Sequence, residues 1–390
     1  MLRRIVPALA IALVLASAGA SAHDPSAYGG LFRSRDLGGT WLNADVGLFL
    51  NSALAVAVDP RDPNHLLLGT DLGLMRSQTG GRSWTPEAQG QIIGAVFALA
   101  FAPDGQSAVC AAPSGVFRFQ DGQWLRADAP GEAAPARVLA VGAGLGRIYM
   151  LGRDGLFASN DGGQSYDRVA SGLPQGAEIT ALAVAQQSRE ILLAVVDRQI
   201  MASEDGGQRW QRRAEGLGDT PIDMVALDPS SAQRAWAAGA DRVHVSDDLG
   251  ATWRAMGQRL PEPGTSVRGI AADPAAMTLV VTTHRGMYRS ENGGDSWTFK
   301  EGNLPVHLES GPLVRDPSDA RTLYAVYSLM PYAEVWRTAL EGGNLLARVD
   351  PVSLAGGLAF VLLLMIGGGL LARWLAGLRV ARSTSGSSRP

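Results

Sequence analysis

Cysteine is almost absent from this chain: Cys110 stands alone among 390 residues. A single thiol excludes an internal disulfide framework and any zinc site built on cysteines. Charge is scarce as well. Charged residues make up 18% of the chain, the formal net charge is -3 and the pI is about 6.0. Nucleic-acid binders normally carry a basic surface, so no nucleic-acid partner is expected. Histidine is also sparse. His23 would offer copper an amine and a ring only if processing made it N-terminal, and His65, His244, His284 and His307 are not at ligand spacing to one another. No metal and no cofactor are therefore expected. Glycine, in contrast, is abundant at 48 residues. Gly weakens helix interiors, so this composition favours strands and turns.

Long apolar runs are confined to the two ends. Met1-Leu2-Arg3-Arg4 precedes an apolar stretch from Ile5 to Ala16, and Ala20-Ser21-Ala22 follows. A basic start, a short apolar core and an A-x-A site predict a secretory signal peptide over residues 1–22. Near the other end, Pro351 to Ala372 carries no charge over 22 residues. At about 1.5 Å per residue it reaches roughly 33 Å, enough for one transmembrane helix. Arg373, Arg379, Arg382 and Arg389 follow without an acid among them. The positive-inside rule puts that tail, 373–390, in the cytoplasm. Residues 23–345 are then expected outside it. A periplasmic domain tethered to a bacterial inner (cytoplasmic) membrane by a single pass is the localisation this pattern predicts.

Between the ends, one eight-residue pattern recurs: Ser-x-Asp-x-Gly-x-Thr-Trp. Ser34 to Trp41 and Ser246 to Trp253 match it fully. Ser77–Trp84, Ser159–Tyr166, Ser203–Trp210 and Ser290–Trp297 match nearly, and Phe119–Trp124 is a shortened copy. The first residues fall at 34, 77, 119, 159, 203, 246 and 290. A steady period of 40–44 residues suits a four-stranded propeller blade. Asp36, Asp161, Asp205 and Asp248 sit in Gly-containing turns, where an Asp side chain accepts bonds from backbone N–H groups further along. Trp41, Trp84, Trp124, Trp210, Trp253 and Trp297 open the next strand and offer apolar area for packing between blades. Thr79 and Asn292 replace Asp in two boxes, so those turns are expected to be less firmly held.

These motifs resemble the Asp-box (bacterial neuraminidase, BNR) repeat family, over nearly the whole span from residue 30 to 340. The resemblance implies an all-β, seven-bladed β-propeller with Asp-box turns. It does not imply one activity, since sialidases, xyloglucanases, sortilin-type receptors and photosynthetic assembly factors share the repeat. Strands are labelled A to D in each unit. Innermost strands are expected to begin near residues 53, 96, 137, 179, 222, 268 and 312. Eight C-like strands are visible, from Leu31–Ser34 to Val335–Thr338, so one is redundant. The expected closure joins C-terminal strands to the Trp41 strand in one mixed blade, removing an exposed edge.

Candidate binding residues come from the B–C turns. Arg153, Arg198, Arg242 and Arg285 occupy equivalent positions, four to six residues before a box serine, in four successive units. Clustered arginines suit carboxylate or phosphate partners. The last B–C loop, Tyr327 to Glu334, is expected to be the longest and holds Tyr327 and Tyr332 as further candidates.

No catalytic residue is expected. The sialidase family has a Phe/Tyr-Arg-Ile-Pro motif before its first box, and the nearest string here, Arg4-Ile5-Val6-Pro7, lies inside the signal peptide. Glycosidases need two carboxyl groups flanking the bond. Asp154, Asp197 and Asp241 each adjoin an arginine that favours the ionised form and spoils an acid. A single seven-bladed propeller without that signature looks like the photosystem II stability/assembly factor family. That resemblance implies a protein client in or near the membrane, engaged by an arginine-rich face. The alternative is a glycan-binding module or a glycoside hydrolase.

Overall fold

The computed structural model describes residues 29–342, apart from 142–146, 171, 175, 187–189, 229, 230, 232, 274 and 276. The expected signal peptide (1–22), transmembrane helix (351–372) and tail (373–390) lie outside the described residues. No helix among the described residues is long and apolar enough to cross a membrane.

Short apolar runs bounded by Gly, Asp and Pro make the strands. Glu190–Val196 is representative: six of its seven residues are buried, because both faces of the sheet are covered by neighbouring blades. Such strands pair in seven four-stranded antiparallel sheets. Blade 4 runs in chain order through Ile179–Gln186, Glu190–Val196, Gln199–Ser203 and Gln211–Arg212. The A strands begin at 53, 98, 138, 179, 224, 267 and 309, close to the positions expected from the repeat. Consecutive A strands touch in a ring, and the seventh meets the first. The chain is therefore an all-β, seven-bladed propeller.

The closing blade has the order Leu42–Asn43, Gly30–Ser34, Leu323–Ser328, Glu309–Arg315. Its A and B strands come from the C-terminal part of the propeller, and its C and D strands from the N-terminal part. Gly30 faces Tyr327 and Ser34 faces Leu323 across this seam. Val335–Thr338, expected as a strand, is instead part of a helix, Tyr332–Leu340. The physical reason is that Gly30–Ser34 already fills the C-strand slot, so no sheet edge remains for it. Freed from pairing, Tyr332–Leu340 follows its local preferences. Pro331 precedes the first turn, Glu334 lies near the N-terminal end and Arg337 near the C-terminal end, each suited to the helix dipole.

Asp boxes hold the C–D turns through one repeated circuit. In blade 3 the Ser159 hydroxyl donates to Asp161 at 2.8 Å and accepts from the Gly163 N–H at 2.9 Å. Asp161 accepts from the backbone N–H groups of Gln164 and Ser165, each at 3.0 Å. The same circuit recurs at Ser34 and Asp36, Ser203 and Asp205, and Ser246 and Asp248. Burial acts to raise the Asp161 pKa, but bonds from Ser165, Ser159 and Gln164 outweigh it and bring it to about 2. In the two substituted boxes the bonds survive with neutral acceptors. Asn292 accepts from the Ser296 N–H at 2.9 Å, and Thr79 from the Ser83 N–H at 2.9 Å. Neutral pairs are roughly half as strong as charge-assisted ones, which is the reason for expecting looser turns there. The aromatic that follows reaches back or across. Trp210 Nε1 donates to the Gly207 carbonyl at 2.8 Å, Trp41 Nε1 to Gly38 at 3.2 Å, and Trp297 Nε1 to Gln258 in the preceding inter-blade loop at 3.1 Å.

Ser159 is buried, so removing its hydroxyl strands the Gly163 N–H. Ser159→Ala is expected to lower stability by about 1–3 kcal/mol, read as a lower urea midpoint at unchanged m-value. An unchanged midpoint would show that the circuit is decorative.

Candidate binding face

Strand direction sorts the loops. B–C turns and the inter-blade D–A loops share one face, and A–B turns and Asp boxes share the other. The Tyr332–Leu340 helix leaves the B strand of the closing blade on the B–C face. It crosses the mouth of the central channel from blade 7 to blade 3. At its start the Tyr332 N–H donates to Glu309 at 3.0 Å and the Tyr332 hydroxyl to the Ala53 carbonyl at 2.8 Å. Arg268 of blade 6 lies 4.9 Å over the Tyr332 ring and pairs with Glu309 at 2.9 Å. Gly311 is required beneath, since a Cβ there would collide with the Tyr332 hydroxyl. In the middle, Val335 and Ala339 bury against Leu54 and Ala95. Trp336 meets Phe97 edge-on at 5.4 Å, and Arg137 of blade 3 lies 4.6 Å over its ring. At the end, Arg153 donates to the Leu340 carbonyl at 3.0 Å.

Beneath the helix the channel encloses about 600 Å³ and is lined by A strands of all seven blades. The A strands of blades 1, 4, 6 and 7 each carry a register shift near their first residues. In blade 6 the extra residue is Arg268 itself; such bulges re-aim side chains. A second cavity of about 690 Å³ opens on the same face, along blade 3 and the loop that leads to blade 4. Arg137, Arg153 and Arg168 line it together with Leu173, Ile179 and Trp336. Arg168 lies over the Phe157 ring at 5.7 Å and donates to the Asp154 carbonyl. Arg137 is paired with Glu178 at 3.5 Å. Burial lowers the Arg137 pKa and Glu178 partly offsets this, but a guanidinium stays charged at every working pH.

The four B–C-turn arginines do lie on one face. They do not converge. Arg198 pairs with Asp223 at 2.8 Å and Arg285 with Glu262 at 3.0 Å. Arg153 holds the helix end. Arg242 is half-buried, and its Nε is enclosed without a hydrogen-bond partner among the described residues. Burial, with Arg242 and Arg259 nearby, lowers the His244 pKa to about 4, so that imidazole is neutral. Tyr327 is not in a loop: it ends the Leu323–Ser328 strand, fully buried against Phe32 at 5.3 Å. Its hydroxyl, too, finds no partner among the described residues. Tyr332 is on the B–C face, but as a helix anchor. Asp36, Asp161, Asp205 and Asp248 hold turns on the opposite face, with Ser34, Trp41, Trp210, Trp253 and Trp297 packed beside them. Of the carboxylates weighed for catalysis, Asp197 accepts from the Glu178 N–H at 2.9 Å, and Asp241 is buried under the Thr265 N–H.

Sequence reasoning overlooked Arg137, Arg168 and Trp336. A signal for Arg168 was present: Arg126, Arg168 and Arg212 each stand two residues after the box aromatic, facing Phe117, Phe157 and Met201 across the C–D pair. Arg137 and Trp336 carry no such periodic mark.

This architecture defines the chain as a seven-bladed Asp-box propeller with a helix drawn across its channel. Solved structures of the same fold include YCF48 bound to a D1 peptide, at 17% identity, covering 72% of this chain and 95% of that one with a TM-score of 0.54. YCF48 from Cyanidioschyzon merolae matches at 17% identity, 73% and 97% coverage and a TM-score of 0.53. The GH74 xyloglucanase from Xanthomonas campestris matches at 18% identity and a TM-score of 0.53, with 72% of this chain covering 54% of that one. This chain thus spans about half of the xyloglucanase. No protein-family model matches the chain, and neither does any curated protein. The protein is a BNR-type propeller resembling YCF48 in fold.

Because the Tyr327 hydroxyl is buried without a partner among the described residues, Tyr327→Phe is expected to be neutral or to stabilise by about 1 kcal/mol, read by thermal unfolding. A drop of that size would reveal a hidden partner. Trp336→Ala is expected to undock the helix. Losing a buried Trp costs about 3–5 kcal/mol, so trypsin cleavage after Arg337 should rise at least about tenfold. Unchanged cleavage would show that Tyr332 alone secures the strap.

Proposed function

We propose that this protein is a membrane-anchored, extracytoplasmic propeller that holds a protein client on its B–C face, as an assembly factor, stability factor or scaffold for a membrane complex. The sequence features at its ends support the anchor: a signal peptide over 1–22 and a span over 351–372 with a basic tail. A single-pass inner-membrane protein with its propeller in the periplasm fits them.

One observation carries the client reading. The 690 Å³ groove along blade 3 brings Arg137, Arg153 and Arg168, with Asp154 and Glu178, among apolar walls, and Trp336 and Leu340 of the helix border it. Apolar walls with convergent donors suit an extended peptide that brings an apolar side chain and a carboxylate. A protein of the same fold, YCF48, binds a D1 peptide. A tether would raise the local concentration of the propeller around membrane clients.

Glycan binding or hydrolysis is the second reading, supported by the fold shared with a xyloglucanase. It asks for stacking aromatics and for two free carboxyl groups across a cleft. On this face Trp336, Phe97 and Tyr332 pack on one another, and Asp197 and Asp241 hold backbone N–H groups.

The test is affinity purification of the tagged full chain from mildly cross-linked host membranes. An Arg153→Ala/Arg168→Ala variant is compared with wild type and with Arg198→Ala/Arg285→Ala. The expected outcome is a near-stoichiometric protein partner, reduced at least about tenfold by the groove pair, since losing charged hydrogen bonds costs about 1.5–3 kcal/mol each. The turn pair should keep it. Equal retention in both variants would discard the groove, and no enriched protein at all would discard the client.

A further inference from the structure

The exposed large apolar side chains of the described residues are unevenly placed. Nine are exposed; Leu42 and Leu125 lie on outer strands, and Met277 lies in an A–B turn. The other six all lie on the B–C face: Val46, Phe49, Ile93 and Val306 in D–A loops, Leu72 in a B–C turn, and Leu329 between the last B strand and the helix. They are between 41% and 75% exposed. Backbone bonds and one bond to the Ser114 hydroxyl link several of the loops that carry them. The Leu329 N–H donates to Asn51 at 2.8 Å, and the Asp71 N–H, beside Leu72, donates to Ser52 at 3.3 Å. The Ile93 N–H donates to Ser114 in the next B–C turn at 2.9 Å. An apolar crescent therefore runs over blades 6, 7, 1 and 2 on the B–C face, beside the helix and opposite the arginine groove.

Contiguous exposed apolar surface marks an interaction site. What covers this one is indicated by where the chain goes. The described chain ends at Gly342, directly after the helix on the same face. Eight residues, 343–350, separate it from the uncharged 22-residue stretch starting at Pro351. Fully extended, eight residues reach at most about 28 Å. If that stretch spans a bilayer, this reach limits how far Gly342 can be from the lipid. We propose that the apolar crescent rests in the interfacial layer of the bilayer, holding the propeller B–C face down. This rests on the proposed membrane anchor. Leu72, Ile93 and Leu329 enter the headgroup and acyl boundary, and the blade 3 groove is left at the membrane edge, where a segment of a membrane protein emerges. The nearby arginines add little attraction for anionic lipid, because Arg198 and Arg285 are already neutralised by Asp223 and Glu262. Docking is therefore expected to survive about 0.5 M salt, where exposed charges are screened within a few ångströms.

Cys110 makes the test clean: it is fully buried, and burial raises its pKa, so an introduced surface cysteine is the one that reacts. Full-length Leu72→Cys, Ile93→Cys and Leu329→Cys variants carry an environment-sensitive dye. Met277→Cys, on the opposite face and 54% exposed, is the control. Each is reconstituted in phosphatidylcholine vesicles containing acyl-chain nitroxides. Since interfacial groups sit about 5–10 Å deep, the three face labels should be quenched at least about threefold more than the control, at low and at high salt. Equal quenching on both faces overturns the docking. So does water shielding that grows with protein density without nitroxide quenching, which would mark a second copy as the occupant. Alkaline carbonate extraction of the same vesicles reads the anchor separately. A chain that stays in the pellet with unquenched labels keeps its anchor and loses the docked face. A chain that is extracted lacks the anchor; added back to vesicles, quenched face labels would still uphold the lipid-binding crescent, and unquenched ones would end it.

Discussion

The pairing of Gly30–Ser34 with Leu323–Ser328 is the constraint on which the rest of the molecule depends. It joins the first described strand to the last and turns an open row of blades into a closed ring, in which only the short outer strands of the blades remain as edges. Because the N-terminal segment supplies both the C and the D strand of the closing blade, the chain after Ser328 has no sheet to join. It is free to become a helix, and it buries its apolar side on Leu54, Ala95 and Phe97 at the mouth of the channel. The helix, its anchors at Tyr332 and Trp336, and the exit of the chain on the B–C face all follow from that one seam.

Electrostatics on this face are arranged to hold parts together more than to display charge. Arg198 and Arg285 pair with carboxylates supplied by the adjoining D–A loops, Arg268 and Arg137 stack on helix aromatics, and Arg153 completes the helix end. Exposed ion pairs contribute about 0–1 kcal/mol each, so their effect is to shape loops more than to stabilise the ring. The groove differs because its guanidinium groups share one concave space with apolar walls. There, charge and apolar surface line the same space.

Most of the fold was legible before any coordinates. The box spacing marked the blades, and the A strand of blade 4 starts at Ile179 as the sequence pattern suggested. The B–C-turn arginines were legible as equivalent positions, because a repeat fixes equivalence by counting. Their lack of convergence was not legible, since Asp223 and Glu262 belong to loops whose conformation no period sets. Tyr327 was misplaced for a related reason. The Tyr-Ala-Val-Tyr-Ser run ends in a strand whose length is decided by its partner Gly30, 297 residues away in sequence. Val335–Thr338 has the branched and aromatic side chains of a strand, yet lies in a helix for want of an edge.

What the sequence determined by itself was everything that acts over a few residues: the Ser–Asp circuits, the positive-φ glycines of the box turns, the alternation of apolar runs, and hence the number and order of the blades. Those interactions close inside an eight-residue motif or a hairpin, so their energies are set by local composition. Only the tertiary structure decided which strand filled the closing blade, where the surplus segment went, which arginines met, and that six of the nine exposed large apolar residues share the face on which the described chain ends. These depend on contacts between residues far apart in the chain, whose adjacency exists only once the ring has closed.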